Sequence, residues 1–303
     1  MQDILIVGAG TAGLTAAIYA ARAGKTVTVL ENEAVGGQIA TSPQVENYPG
    51  FESISGAEFS DRLFTQATVL GVSVELEKAQ AVRVQDGVFT VETGGESYSA
   101  RALILATGVK HRRLGLAEEA SYLGRGLSYC AVCDGAFFKN RTVAVVGGGN
   151  AALQSAIYLS DVAEKVYLIH RRMQYRAEEA VIRAMEAKPN IEPILNKTVA
   201  ALSGEPLLQS LTLRDTQTGD KSELPVNGVF VSIGKVPAND FCRDIVTLDD
   251  AGFIVADESC KTNVPGIFAA GDCRTKTVRQ LTTAASDGSI AALAACDYLN
   301  ANA

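Results

Sequence analysis

Ile4-Leu5-Ile6-Val7-Gly8-Ala9-Gly10-Thr11-Ala12-Gly13 runs four apolar residues straight into three spaced glycines. The alanine-rich Leu14 to Ala23 follows, a strong helix former, and Gly24 ends it before Val27-Thr28-Val29-Leu30 and Glu31. The order is strand, turn, helix, strand, with G-x-G-x-x-G at the turn and an acid 23 residues beyond Gly8. Gly8 makes the tight turn, Gly10 lets backbone approach a pyrophosphate, and Gly13 lets the helix pack close to the strand. The helix N-terminus offers amides and partial positive charge to phosphates. Glu31 is placed to accept hydrogen bonds from ribose hydroxyls. The glycines alone are a weak signal, but with strands, helix and acid in place they predict a dinucleotide site.

The same unit recurs 139 residues further on, without a gap. Val143-Ala144-Val145-Val146 falls on Ile4 to Val7, and Gly147-Gly148-Gly149-Asn150-Ala151-Ala152 falls on the first turn. Val166-Tyr167-Leu168-Ile169 falls on the second strand. The chain is therefore expected to hold two dinucleotides. Where the first copy has Glu31, the second has His170, followed by Arg171, Arg172 and Arg176. An acid there would repel a 2′-phosphate, whereas guanidinium groups pair with one through parallel hydrogen bonds. The second site reads as one for NADP rather than NAD.

Each copy closes on an apolar strand ending in glycine, Ala102 to Gly108 and Gly228 to Gly234. Between fingerprint and closing strand, Val82 to Glu92 and Leu207 to Arg214 alternate polar and apolar, as antiparallel β excursions do. The segment from Pro237 onward is short for a domain of its own and is expected to complete the first one. The expected organisation is α/β, with two Rossmann-like, three-layer ββα domains, the second inserted into the first. The boundaries expected are 1–111 with 237–303 for the first domain and 112–236 for the second, with the two crossings side by side as a hinge.

About a dozen residues before the second fingerprint stands Cys130-Ala131-Val132-Cys133-Asp134. Two cysteines at this spacing can close a small disulfide that takes up two electrons, and a neighbouring carboxyl can manage the protons. The same spacing also serves half of a zinc knuckle or two inert core cysteines. A neighbouring electron source favours redox use. The other cysteines, Cys242, Cys260, Cys273 and Cys296, make no second pair of this kind, and with two histidines in 303 residues no metal site is expected. A net charge of −7 argues against nucleic acid or an anionic membrane as partner. No apolar run is long enough to span a membrane, and no basic leader precedes the first strand, so a cytoplasmic enzyme is expected.

With these motifs the chain resembles the low-molecular-weight, bacterial-type thioredoxin reductases over essentially its whole length. The resemblance is carried by both glycine turns, Gly36-Gly37-Gln38, Glu46-Asn47-Tyr48-Pro49-Gly50, Ala106-Thr107-Gly108 and Cys130 to Gly135. His170-Arg171-Arg172 with Arg176, Gly266 to Asp272, and Arg279-Gln280 complete it. It implies FAD in the first site, held by Gly8, Gly10, Gly13 and Glu31. Gly37, Gln38, Asn47, Ala106, Thr107, Gly108, Asp272, Arg279 and Gln280 would line that site. NADPH is implied in the second, held by Gly147, Gly149, Asn150, Ala152, His170, Arg171, Arg172 and Arg176. It also implies a homodimer. Two features depart from the usual pattern: Asn150 to Ala156 lacks acids after the turn, and Met173 stands where an aspartate is common.

The resemblance further implies a path from NADPH through FAD to the Cys130–Cys133 disulfide, and from there to the disulfide of thioredoxin or a thioredoxin-like small protein. Cys133 would lie nearer the flavin, Cys130 would attack the partner, and Asp134 would act as general acid. A rotation of the inner domain would present nicotinamide and cysteines to the flavin in turn. Two alternatives stay open: a flavin disulfide reductase fed by ferredoxin or serving another acceptor, and a non-catalytic redox-sensing nucleotide-binding protein.

Overall fold

The computed structural model describes residues 1–42 and 44–302. Two compact units divide the chain, Met1–Lys110 with Val236–Ala303, and His111–Lys235.

In the first unit, strands Ser73–Glu75, Val27–Leu30, Gln2–Val7 and Ser97–Leu105 lie side by side in that order, all parallel. Their continuous apolar runs suit a sheet covered on both faces, and Ile4, Leu5 and Ile6 are wholly buried. Strand Ser97–Leu105 is long enough to take two partners on its outer edge. Its first residues pair antiparallel with Val88–Glu92, which pairs in turn with Ala81–Gln85. Its last three pair parallel with Ile267–Ala269. Helices Thr11–Arg22 and Leu281–Ala301 pack together on one face, where Ala16, Ala17 and Ala20 share a core with Ala291, Ala292 and Ala295. Side chains this small at helical spacing let two helix backbones approach closely. On the other face, Leu5, Leu30, Leu103 and Leu105 pack with Phe89, Cys242, Val246 and Ile254. Both faces of the sheet are thereby closed, which makes three layers.

The second unit has five parallel strands in the order Ile191–Leu195, Lys165–His170, Thr142–Val146, Gly228–Val231, Leu127–Ser128. The internal repeat extends to strand register. Ile4 stands opposite Val27 and Val7 opposite Leu30, while Val143 stands opposite Val166 and Val146 opposite Ile169. The β excursion here is wider than the predicted 207–214. It is a three-stranded antiparallel sheet of Lys197–Ser203, Ser210–Asp215 and Lys221–Pro225. Only its middle strand alternates strongly in sequence. The flanking strand Lys197–Ser203 is recruited by Val199 and Leu202, which are buried in one cluster with Leu211 and Leu213, and Lys221–Pro225 by the half-buried Leu224 packed against it. Among the described residues, no helix is long and apolar enough to cross a membrane.

Candidate active site

The first glycine turn is closed on its inner side and open on its outer one. Gly8 has φ of +109°, and a Cβ there would lie 2.3 Å from the Ala106 carbonyl oxygen. At Gly13 a Cβ would lie 1.8 Å from the oxygen of Gly8. At Gly10 the nearest atom to such a Cβ is 3.9 Å away. Helix Thr11–Arg22 starts there with Gly10 as N-cap, no capping side chain and no acid in its first turn. Helix Asn150–Ser160 starts the same way behind Gly149. The ordinary surface helix Gly56–Val69, by contrast, is capped by Ser55 and carries Glu58 in its first turn. Two uncapped, acid-free N-termini behind glycine turns have the donor set a pyrophosphate needs.

Several sequence-predicted residues gather around the first turn. Glu31 is buried, and its two carboxylate oxygens accept the amides of Ala9 at 2.8 Å and Glu33 at 2.9 Å. Each oxygen keeps a second lone pair for a ribose hydroxyl. The Gly36 backbone amide donates to the Ala9 carbonyl at 2.8 Å, a Cβ on Gly37 would sit 3.3 Å from Gly10 Cα, and the Gln38 side-chain Nε2 donates to the Val109 carbonyl. Asn47 donates to the Gln280 side chain at 3.4 Å. Ala106 donates its amide to Val7, and Thr107 donates to Asn239 Oδ1 at 2.7 Å, so these two hold the turn from behind. Gly108, in the left-handed region with φ of +64°, carries the chain onward from them. Arg279 lies 4.3 Å above the Phe253 ring and donates to the carbonyls of Asp272 and Arg274, both at 3.2 Å. It grips the loop that carries Asp272.

At the second turn, Gly147 falls against Ser232 and Ala152, and the His170 ring lies so near Gly148 that a Cβ there would come within 2.1 Å of it. His170 is 7% exposed, bonds Gln174 O through Nε2, and has its pKa lowered by burial. It packs under the turn, whereas Arg171, Arg172 and Arg176 are exposed. The Arg176 amide donates to the Gly148 carbonyl at 2.7 Å, which holds the arginine loop beside the turn. The Asn150 side-chain amide donates to the Glu178 carboxylate, and its Oδ1 accepts the Glu178 backbone amide, both at 2.8 Å. Met173 accepts from Asn196 at 2.8 Å.

Cys130 and Cys133 form a disulfide across the helical turn Ala131–Asp134. The Cys133 amide donates to Cys130 Sγ at 3.2 Å. When the bond opens, that donor stabilises a Cys130 thiolate. Ser128 Oγ donates to Asp134 Oδ2 at 2.6 Å and accepts the Cys130 amide at 3.0 Å. Burial raises the Asp134 pKa, against the lowering by Ser128. Cys133 is exposed and Cys130 half-buried.

Sequence reasoning missed Ser128 and the group behind it. Buried Glu119 accepts the amides of Leu114 and Gly115 and the Tyr129 hydroxyl at 2.6 Å. Tyr129 stacks on His111 with ring centroids 5.0 Å apart. Burial, with Lys235 nearby, pushes the imidazole down to about 4, so His111 is neutral at pH 7. Cys242, Cys260, Cys273 and Cys296 are buried free thiols, and Cys273 Sγ donates to the carbonyls of Ala270 and Leu105.

Residues 2–288 match the family model described as pyridine nucleotide-disulphide oxidoreductase. A thioredoxin reductase of Treponema pallidum is 44% identical over 299 residues, 98% of this chain and 97% of that protein. One from Listeria innocua is 43% identical over 300 residues, covering 99% of this chain and 94% of that protein. The crystal structure of thioredoxin reductase from Streptococcus pyogenes superposes with a TM-score of 0.95 at 38% identity, covering 99% of each chain. Glycine turns, disulfide and full-length similarity together establish that the chain belongs to the pyridine nucleotide-disulphide oxidoreductase family.

Proposed function

We propose that the chain is an NADPH-dependent thioredoxin-disulfide reductase, a flavoprotein whose first unit holds FAD and whose second holds NADPH and the redox pair. The observation that carries this reading is the Cys130–Cys133 disulfide beside an acid, in a chain with two uncapped helix N-termini behind glycine turns. Gly8, Gly10, Gly13 and Glu31 would hold the FAD pyrophosphate and ribose, with Gly37, Gln38, Asn47, Asp272 and Gln280 lining the rest. Gly147 to Asn150 would hold the NADPH pyrophosphate, and Arg171, Arg172 and Arg176 its 2′-phosphate. Bound NADPH and FAD supply the two-electron chemistry, the nicotinamide as hydride donor and the flavin as relay.

Two electrons and two protons open the disulfide to two thiols. The Cys133 amide favours the thiolate at Cys130, so Cys130 attacks the partner's disulfide. Asp134 takes up the proton that Cys130 gives up; one partner sulfur then bonds to Cys130 and the other leaves as a thiolate, to which Asp134 returns that proton. Cys133 next attacks Cys130 Sγ, which reforms the internal disulfide, and the proton it loses goes to the departing partner sulfur, so that the partner is released as a dithiol. The partner is thioredoxin or a thioredoxin-like small protein, and a homodimer is the expected assembly.

Anaerobic titration tests the reading. NADPH should bleach the flavin absorbance near about 450 nm at low concentration, and NADH poorly. A yellow protein bleached by neither overturns NADPH as donor. Replacing both Arg171 and Arg172 by alanine removes charge-assisted bonds worth about 1.5–3 kcal/mol each. The KM for NADPH should rise at least about tenfold while that for NADH stays nearly level. Equal rises for both would mean that the arginines do not read the 2′-phosphate.

Asp134 gives a pH signature. Its folded pKa is raised, so the stability it contributes is full below the unfolded carboxyl pKa and is lost as pH rises through the folded one. Asp134→Asn cannot ionise. Its unfolding temperature relative to the wild type should therefore climb as the pH rises above about 4, the ordinary carboxyl pKa, while turnover falls. A difference that does not change with pH would show that burial does not oppose ionisation there.

A further inference from the structure

Helix Leu281–Ala301 is alanine-rich and packs against Thr11–Arg22, yet it carries a buried acid, Asp287, 4% exposed. That carboxylate collects four donors from one loop. Oδ2 accepts the Gly271 amide at 2.9 Å, Arg274 Nε at 2.9 Å and Lys276 Nζ at 2.8 Å, while Oδ1 accepts Arg274 Nη2 at 2.9 Å. Both cations are buried with it. Burial alone would raise the Asp287 pKa, but the bonds from Arg274 and Lys276 outweigh it and hold the group ionised.

The loop so held is the one that presents Asp272, which stands between Gly271 and Arg274. The clamp also lies against the first nucleotide turn. A Cβ on Gly271 would come within 2.8 Å of the Ala12 side chain, and one on Gly288, next to Asp287, within 2.3 Å of the Ala12 carbonyl. A charged residue on an apolar helix face costs desolvation, and its bonds here go to the loop rather than to the helices' own packing.

We propose that Asp287 is a positioning residue that holds the Gly271–Arg274 loop, and with it Asp272, in the form that retains flavin. This rests on the reading of the first unit as the FAD unit. Lys276 is the second part of the device, because its ammonium ties Asp287 to the Thr283 carbonyl on the first turn of the same helix.

The test compares purified holoprotein of the wild type, Asp287→Asn, Asp287→Glu and Lys276→Gln. Each is diluted, and flavin release is followed by the rise in free-flavin fluorescence. Unfolding temperatures are measured with and without added FAD. Asp287→Asn should release flavin at least about tenfold faster, as loss of a charge-assisted hydrogen-bond set implies. Asp287→Glu, which keeps the carboxylate, should recover part of the difference. Lys276→Gln keeps the Arg274–Asp287 pair and should fold even if Asp287→Asn does not, with release accelerated several-fold. A merely structural role lowers the unfolding temperature equally with and without FAD and leaves release unchanged. That result, in any variant set that includes Lys276→Gln, overturns the clamp alone. A wild type that holds no flavin overturns the FAD reading and this inference with it.

Discussion

Replacing Cys133 by serine is expected to abolish disulfide turnover, by a factor on the order of 10⁴ or more, the scale seen when a covalent catalyst loses its nucleophile. Cys130→Ser should do the same, since an oxygen can neither close nor exchange the disulfide. Neither change should unfold the protein. The bridge spans a sequence separation of 3, so its contribution to chain entropy is about 2 kcal/mol at most. Cys133 is exposed and Cys130 half-buried, so little packing is lost. The two variants differ in what they capture. With Cys133→Ser, Cys130 still attacks and nothing resolves it, so a thioredoxin that lacks its own resolving cysteine and carries its remaining one as a thionitrobenzoate mixed disulfide is captured on Cys130, with release of thionitrobenzoate, and accumulates as an adduct on a non-reducing gel. With Cys130→Ser the adduct should be scarce. The reverse pattern would exchange the two roles and refute the reading of the Cys133 amide as the thiolate's donor.

The second large effect is expected at Gly13. A Cβ there would stand 1.8 Å from Gly8 O and 3.0 Å from Gly8 C, and both are backbone atoms that no side-chain rotation can clear. Either helix Thr11–Arg22 retreats from the sheet or the turn opens. Gly13→Ala should cost about 3 kcal/mol, the upper range for overpacking, and the protein should purify colourless or lose flavin on dialysis. Gly149→Ala is the contrasting case. Nothing lies within 4 Å of a Cβ there, so thermal unfolding should stay close to that of the wild type. The methyl group instead occupies the open side of the turn, and the KM for NADPH should rise. Thermal unfolding with flavin and NADPH titrations distinguishes the two. A Gly13→Ala protein as stable and as yellow as the wild type would contradict the close-packed turn, and a destabilised Gly149→Ala would contradict the open one.

Much of this molecule was legible because its functional elements are local. The turn Gly8 to Gly13 needs glycine for reasons confined to one strand, one turn and one helix, and the repeat 139 residues later carried even the register of the paired strands. Cys130, Cys133 and Asp134 lie within one helical turn, so spacing alone brought them together. The reading of Arg171 and Arg172 as partners of a 2′-phosphate rests on a register comparison, which exposed the loss of the acid. His170 was less readable. The aligned position was clear, but its packing under Gly148 depends on a ring filling space beneath the turn.

What the sequence by itself determined is the kind of fold, the two nucleotide turns and the redox pair, since each depends on residues within about one supersecondary unit of each other. Tertiary structure alone decided which polar groups support them. Ser128 holds Asp134, Glu119 gathers Tyr129 with the Leu114 and Gly115 amides, and Asp287 clamps Gly271, Arg274 and Lys276. None of these residues has a spacing that announces a partner. A buried charge is satisfied by whatever donors the fold brings within about 3 Å of it, and folding draws them from separate loops and helices. Local sequence could show that Asp287 interrupts an apolar helix face, and only the folded chain showed what that carboxylate holds.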